Sequence, residues 1–276
     1  MAEPGLEFVP EGMVSFYNDL LSLEAPETSV QIRNMGKEQR EMWENGIPLL
    51  VANMPRVEPE DFFATMRRVK DILAKHQPDQ AAELEKTMAA MPTDPGEREV
   101  FVESVLRRRT NWSEYLVQQR GVAEDVLGFL LNHTVKPYLS RFGTLVREQV
   151  DFDTWGRGYC PVCGAQANFA RLSKAVGRRY LHCPLCETEW WFKRIGCPFC
   201  DNEDQKELRY FTVEGDERHR VYLCEKCKGY LKTIDESRCG ENEKAYLFWE
   251  DVKTVHLDLL AMREGYVNKV AEGANQ

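Results

Sequence analysis

The chain has 276 residues and a formal net charge of −9, with 43% hydrophobic and 29% charged residues. This length is enough for one large or two ordinary domains with a buried core, and the composition is that of a globular protein. No apolar run is long enough to span a bilayer, and an acidic chain repels phosphate backbones, so we expect neither membrane insertion nor nucleic-acid binding.

Charge is distributed unevenly along the chain. Residues 1–150 contain 24 Asp and Glu against 17 Lys and Arg, whereas residues 151–240 contain 14 against 15 and hold all nine cysteines. The N-terminus has no basic segment followed by an apolar one, so we expect no signal peptide and a cytoplasmic location. Thiols stay reduced in that compartment, which favours metal binding over disulfides for paired cysteines.

Residues 1–150 are predicted to form a helical domain. In EGMVSFYNDLLSLEA the apolar residues recur every three or four positions, the period of an amphipathic helix. The segment EPEDFFATMRRVKDILAKH has the same period and opens with proline and acidic residues, as helices do. Residues 123–150 are apolar on most faces, so we expect a central helix there that Pro137 kinks or breaks. No β alternation of comparable strength occurs in this region.

The pattern changes near Trp155, where short strand-like segments replace helical periodicity. Residues 159–195 and 196–234 follow one plan: a Cys-x-x-Cys pair, a strand, a turn, a strand, a second pair and a third strand. Gly177 in the first unit and Gly215 in the second mark the hairpin turns. The sequence therefore predicts two consecutive β units of the same kind.

A tetrahedral metal site needs four thiolates from two short loops, and a hairpin between two Cys-x-x-Cys pairs brings the second loop back beside the first. We therefore predict two mononuclear sites, each with four cysteine ligands. Site one consists of Cys160, Cys163, Cys183 and Cys186, and site two of Cys197, Cys200, Cys224 and Cys227.

Two other arrangements of these pairs remain open. In a crossed arrangement the second and third pairs share one metal, but the ten residues between them have room for one strand and not for a hairpin. Redox-active or disulfide-linked pairs lack a secretory context and a thioredoxin-like βαβ pattern. We rank both below the sequential assignment.

The spacing does not choose between zinc and iron, because both metals occupy closed sites of four cysteines. Such a site has no open coordination position, and the sequence contains no phosphate-binding loop, nucleophile elbow or helix with paired histidines. We therefore expect a binding protein and not an enzyme. His182 is interpreted as a strand residue and not a ligand, His133 and His256 as packing or surface residues on helices, and Cys239 as a bystander thiol.

The segment HCPLCETEWWFKRIGCPFC, followed by YLCEKCKGYLKTID, resembles the family of the formate dehydrogenase accessory protein FdhE. The positions that match the family's elements are Thr188, Glu189, Trp190, Arg194, Tyr230, Leu231 and Lys232. The resemblance covers roughly residues 120–266, and residues 1–119 agree with the family only in being helical. Trp191 departs from the family's pattern, and this departure touches no ligand.

The resemblance implies a cytoplasmic, chaperone-like factor for the maturation of formate dehydrogenase, a molybdenum or tungsten enzyme, and contact with its catalytic subunit. It also implies a helical domain followed by two rubredoxin-like folds that can hold iron. Thr188, Glu189 and Trp190 directly follow site one and are the candidate partner contacts. A zinc-ribbon protein that binds nucleic acid and a redox-active iron protein are the alternatives.

The predicted fold class is α+β: an N-terminal all-α helical domain, two consecutive rubredoxin-like or zinc-ribbon metal-binding β units with four cysteines each, and a C-terminal helix. The predicted divisions are residues 1–150 for the helical domain, 151–195 and 196–240 for the two metal units, and 241–276 for the C-terminal helix.

Overall fold

The computed structural model of the chain describes residues 9–241, 243 and 245–270. Within them the fold class is the predicted α+β. The helices are α1 (Glu11–Leu21), α2 (Lys37–Glu44), α3 (Leu49–Ala52), α4 (Pro59–His76), α5 (Ala81–Ala89), α6 (Pro95–Leu106), α7 (Asn111–Arg120), α8 (Glu124–Val146), α9 (Leu247–Lys253) and α10 (Val255–Arg263). The strands are β1 (Val30–Gln31), β2 (Arg56–Val57), β3 (Phe169–Leu172), β4 (Arg179–His182), β5 (Glu189–Phe192), β6 (Leu208–Phe211), β7 (His219–Cys224) and β8 (Tyr230–Asp235).

Helix α8 is the central helix of the first region, as its apolar sequence predicted. Eleven of its residues are buried, and it packs along α4, where the Tyr138 hydroxyl lies 2.9 Å from Thr65 Oγ1. The helix continues through Pro137 without a break. Proline removes one backbone hydrogen bond, and the packing of buried residues on both sides of it holds the helix together. In the part of the chain that the structure describes, no helix has the length and apolar character needed to cross a membrane.

A small antiparallel sheet within the helical region was not predicted. Strands β1 and β2 have two residues each, and Val30 pairs with Val57. Both valine side chains are buried. Two residues are too short to show alternation, so the sequence pattern carried no signal for these strands.

The two cysteine-rich units each form a three-stranded antiparallel sheet, with the predicted alternation of cysteine pairs and strands. Gly177 and Gly215 lie in the hairpins with φ of 62° and 85°, the left-handed region that favours glycine. The units also join edge to edge, because β3 pairs in parallel with β8. The result is one six-stranded sheet in the order β5-β4-β3-β8-β7-β6, and the sequence did not predict this union.

The predicted C-terminal helix is two short helices, α9 and α10, which meet at Thr254. Helix α9 packs against β3 and α10 against β8, around the buried Lys232, whose Nζ lies 2.7 Å from an Asp251 carboxylate oxygen and 2.6 Å from one of Asp258. The Tyr230 hydroxyl donates to the same Asp258 carboxylate at 2.9 Å. A buried charge needs a paired partner, so Lys232 holds both helices at the sheet.

The helical region and the first metal unit share one hydrophobic core, in which Phe142 and Val146 of α8 belong to the same cluster as Trp190. The backbone N–H groups of Leu49 and Leu50, at the start of α3, donate to the carbonyl oxygens of Pro161 and Val162 at 2.9 and 2.8 Å. These hydrogen bonds join a helix N-terminus to the first cysteine loop. The division of the chain at residue 150 remains a prediction.

We predict that Gly158→Ala strongly destabilises the protein. A Cβ at Gly158 would lie 1.7 Å from the carbonyl oxygen of Pro198, so backbone must move where the two metal units touch. Overpacking of this kind costs about 1–3 kcal/mol. Because Pro198 lies within the third cysteine pair, we also expect lower metal content at site two. The measurements are denaturant unfolding and elemental analysis of the purified protein.

The matched control is Gly128→Ala. Gly128 lies within α8, and a Cβ there would meet nothing within 4 Å. Alanine is favoured over glycine inside a helix by about 1 kcal/mol, so this variant should be neutral or more stable. Equal unfolding midpoints for the two variants would contradict the close contact at Gly158.

Candidate metal centres

All four Cys-x-x-Cys pairs form the same backbone loop. In each, the N–H of the first cysteine donates to the carbonyl oxygen five residues later, at 2.8–3.0 Å. The residue after the second cysteine is left-handed in every loop; these residues are Gly164 (φ 78°), Glu187 (φ 55°), Asp201 (φ 55°) and Lys228 (φ 54°). The repeated turn directs two sulfur atoms of each loop to the same side.

None of these left-handed positions was singled out from the sequence. A left-handed residue other than glycine costs about 1–2 kcal/mol, so such positions persist only where the surrounding structure imposes them. The only signal was Gly164, which directly follows the first pair and is the residue that this turn favours. The other three loops use Glu187, Asp201 and Lys228 in its place.

Site one brings together Cys160, Cys163, Cys183 and Cys186, and all four are buried. The Sγ atoms of Cys160 and Cys186 are 3.4 Å apart, as are those of Cys163 and Cys183. A tetrahedral metal with bonds of about 2.3 Å to sulfur requires sulfur atoms about 3.8 Å apart, whereas a disulfide requires about 2.05 Å. The spacing is therefore close to that of a metal site.

Site two brings together Cys197, Cys200, Cys224 and Cys227. The sulfur separations are 3.6 Å between Cys197 and Cys227 and 3.7 Å between Cys200 and Cys224. Cys200 and Cys227 are partly exposed, so this cluster reaches the surface and site one does not. The structure groups the eight cysteines in sequential order and not in the crossed arrangement, while their role as metal ligands remains a prediction.

The thiols within each cluster differ in acidity. Burial raises the pKa of Cys160 and of Cys197. Burial acts in the same direction on Cys183 and Cys224, but hydrogen bonds from neighbouring thiols and backbone outweigh it and lower the pKa of both. A metal ion binds thiolates, so loading either site releases protons, and acid weakens the binding.

Four cysteine sulfurs at these separations fit either Zn²⁺ or iron. Both metals take four thiolates in tetrahedral geometry, so the donor set does not identify the metal. Polar groups lie close to the sulfurs: the hydroxyl of Thr188 is 3.1 Å from Cys186 Sγ, and the side-chain amide of Asn202 is 3.8 Å from Cys224 Sγ. Such contacts orient ligands and tune the bound metal.

The candidate partner contacts after site one differ in exposure. Thr188 and Trp190 are buried, and the indole N–H of Trp190 donates to the Arg157 carbonyl oxygen at 2.8 Å. Glu189 is half-buried and forms an ion pair with Arg171. Half-buried and buried residues alternate along β5. Of these three residues, Glu189 alone presents appreciable side-chain surface, and their role in partner binding remains a prediction.

The single histidines and Cys239 lie outside both clusters. His182 is a buried strand residue, as predicted, and its Nδ1 lies 3.1 Å from Asn168 Oδ1. His133 packs on the Phe129 ring, and burial lowers its pKa to about 4. Cys239 is buried with its sulfur 3.2 Å from Arg218 Nη2.

A partly buried charge cluster between the β6–β7 turn and α9 was missed by the sequence analysis. His219 Nδ1 lies 2.8 Å from an Asp216 carboxylate oxygen, and its Nε2 lies 3.0 Å from one of Glu250. Burial opposes the charged imidazole, but the two carboxylates outweigh it and raise the pKa of His219. The cluster ties the β6–β7 turn to α9, and residues this distant in sequence form no local pattern.

The fold and the two clusters together define a class of protein: a helical domain followed by a pair of fused metal ribbons, each with four cysteines. Residues 159–194 match the model of the FdhE central domain. The chain is 31% identical over 152 residues to the FdhE homologue of Aquifex aeolicus, covering 54% of this chain and 52% of that protein. It is 34% identical over 113 residues to FdhE of Salmonella choleraesuis, covering 40% and 35%.

The fold is also that of a solved FdhE. The crystal structure of the FdhE protein from Pseudomonas aeruginosa matches with a TM-score of 0.57 and 20% identity, covering 94% of this chain and 84% of that one. The resemblance to the FdhE family, indicated by the motifs between residues 180 and 234, is thus confirmed. The matches to the curated relatives span about half of their length or less.

We predict that the two sites bind metal independently. Replacing the four cysteines of site two by serine should leave one metal ion per chain, bound at site one. Combining Cys160→Ser, Cys163→Ser, Cys183→Ser and Cys186→Ser should likewise leave one ion, at site two, if the rest of the fold survives. Elemental analysis of soluble protein measures the metal, and circular dichroism checks that the helices remain.

The crossed arrangement gives a different outcome for the same variants. Each quadruple variant would then remove two ligands from both metals, and neither protein would retain an ion. Complete loss of metal from both folded variants would therefore contradict the assignment of the sites.

Proposed function

We propose that this chain is an accessory protein for the maturation of formate dehydrogenase and that it binds the catalytic subunit of that enzyme. The observation that carries the proposal is the match of residues 159–194 to the FdhE central domain, because this segment contains all of site one and the strand that follows it. The FdhE-like fold extends the likeness to nearly the whole chain.

We further propose that each cluster holds one iron or zinc ion and that the protein acts as a chaperone and not as an enzyme. Four thiolates fill a tetrahedral shell, so neither metal offers a coordination position to a substrate. Loss of an ion would instead unfold the loops that hold it, since metal binding and folding are coupled in small ribbons. The metals thus support a surface that recognises the client.

A cytoplasmic location is part of the proposal. None of the nine cysteines forms a disulfide, and all nine lie within the described residues. Reduced cysteines are typical of the cytosol. A factor that matures an enzyme subunit before its final assembly has to meet that subunit there.

The nucleic-acid alternative has less support. A protein of this kind needs unpaired cations on one face to contact phosphates. Three cations in the middle of the sheet, Arg171, Arg220 and Lys232, are paired with carboxylates, which leaves few cations free for phosphate. The net charge of −9 opposes phosphate binding as well.

The redox alternative has one observation in its favour, which is the partial exposure of Cys200 and Cys227 at site two. Visible absorption of the metal-loaded protein, recorded before and after oxidation with ferricyanide, tests it, because ferric–thiolate sites absorb there and zinc sites do not. Absence of any visible band after oxidation excludes an iron redox role.

Deletion of this protein in its own organism should sharply reduce formate dehydrogenase activity while the transcript of the catalytic subunit stays level. The tagged protein should co-purify with the catalytic subunit, and more of the immature than of the finished subunit, because an accessory factor has to release its product. The control is complementation with the wild-type chain. Full activity in the deletion strain, with no second copy of the protein, would refute the proposal.

Glu189→Ala should weaken co-purification of the catalytic subunit without changing metal content or melting temperature. The matched control is Glu236→Ala, because Glu236 also pairs with Arg171, at 3.1 Å. Each substitution removes one carboxylate from the same partly buried guanidinium, and ion pairs that still reach solvent contribute at most about 1 kcal/mol to stability. Equal client binding by both variants would assign Glu189 to structure alone.

A further inference from the structure

A cavity of about 300 Å³ opens beside site two, where the two metal units meet. The segment after β5, strand β6 and strand β7 form its walls, and Cys197 and Cys224 of site two line it. Its apolar lining comes from Phe199, Leu208 and Leu231, among others. Most of its lining residues are not cysteine ligands, so the metal sites do not account for the cavity.

The charged side chains that line the cavity are all cations: Arg179, Arg194 and Arg209, with no aspartate or glutamate from the described part of the chain. Arg179 is buried; it stacks on the Tyr222 ring and donates to the Gly196 carbonyl oxygen at 3.0 Å. Burial lowers its pKa to about 10, so the guanidinium stays charged at neutral pH.

The other two arginines face solvent. Arg194 is exposed and has no ion pair within the residues that the structure describes. Arg209 is 67% exposed, and its one carboxylate partner among the described residues is Glu225, at 3.5 Å. In a chain of net charge −9, two accessible guanidiniums over an apolar cavity are complementary to a carboxylate beside an apolar side chain.

Strand β6 offers a second element of recognition at the same place. It is an edge strand, paired with β7 on one side and with no described strand on the other. Leu208, Arg209 and Tyr210 of this strand line the cavity, and Tyr210 is 59% exposed. Free backbone groups at a sheet edge accept an extended chain, and exposed tyrosine is frequent at interaction hot spots.

We infer that the cavity beside site two and the free edge of β6 dock an extended acidic segment of the client protein. The carboxylate binds Arg194 and Arg209, an adjacent apolar side chain enters the cavity, and the backbone lies along β6. This inference rests on the proposed function, since it names the part of the surface that holds the client. A free inorganic anion would use only the guanidiniums, and neither the apolar lining nor the strand edge.

The test uses the full-length, metal-loaded protein and short overlapping synthetic peptides that cover the formate dehydrogenase catalytic subunit, with fluorescence anisotropy as the readout. We expect the peptides that bind to contain aspartate or glutamate next to an apolar residue. Arg194→Glu should lower the affinity for these peptides at least about tenfold, because a charge-assisted hydrogen bond is lost and a charge repulsion is added. A Glu→Lys change in the bound peptide should restore binding to this variant.

Two controls distinguish loss of a local contact from a change in net charge and from loss of folding as the cause of weaker peptide binding. Arg109→Glu changes the charge equally at an exposed position in the helical region, and should leave the affinity within about twofold. The Arg194 side chain makes no ion pair in the described residues, and its carbonyl remains available to Arg179, so Arg194→Glu should keep its metal and melting temperature. Tyr210→Ser is an independent variant at the strand edge and should also lower the affinity for the peptides.

The inference is overturned if Arg194→Glu and Arg109→Glu bind the peptides equally, or if the bound peptides lack acidic residues. Equal binding of inorganic phosphate and of the peptides would also overturn it, by identifying a small-anion site. Co-purification of the full catalytic subunit distinguishes failure of the docking site from failure of the proposed function. If the subunit co-purifies equally with wild type and with Arg194→Glu, only the docking site is wrong. If the subunit does not co-purify with wild type, the proposed function is wrong.

Discussion

The parallel pairing of β3 with β8 is the contact on which the rest of the metal-binding half depends. It joins the first strand of one unit to the last strand of the other, and it places Phe169 opposite Lys232. Without it both strands would be exposed edges, which proteins avoid. The cavity at the junction forms because the units are held side by side, and α9 and α10 pack on the two strands that this pairing has fixed in place.

The two cysteine clusters share a backbone geometry but differ in their surroundings. Site one lies in the core that it shares with the helical region, and the N-terminus of α3 donates hydrogen bonds to its first loop. Site two has two partly exposed cysteines and borders an open cavity. Loss of the site-one ligands should therefore also perturb the packing of the helical region. Site two lies at the surface, where a bound protein would contact it directly.

The residues that carry the resemblance to FdhE are mostly structural. Thr188 and Trp190 are buried beside site one, and Tyr230 and Lys232 hold the C-terminal helices at the sheet. Similarity at these positions therefore identifies the fold more directly than it identifies a client contact. Arg194 is the exception among the matching positions, because its side chain is exposed and free to contact another protein.

The sequence by itself determined the helical first half, the strand order within each metal unit and the grouping of the eight cysteines. These features are local: the residues of each cysteine cluster lie within about one hairpin of each other, and helical periodicity shows within a few turns. The continuous path of α8 through Pro137 and the strands β1 and β2 were not predicted, because packing overrides a proline and two residues show no period.

Only the tertiary structure decided how the units combine. The pairing of β3 with β8, the burial of Lys232 between two aspartates and the arginine-lined cavity all join residues that are distant in the chain. Each depends on which faces and edges remain unpaired once the local elements have formed. That choice is set by the burial of apolar surface and the pairing of buried charge over the whole chain, which no local pattern of residues encodes.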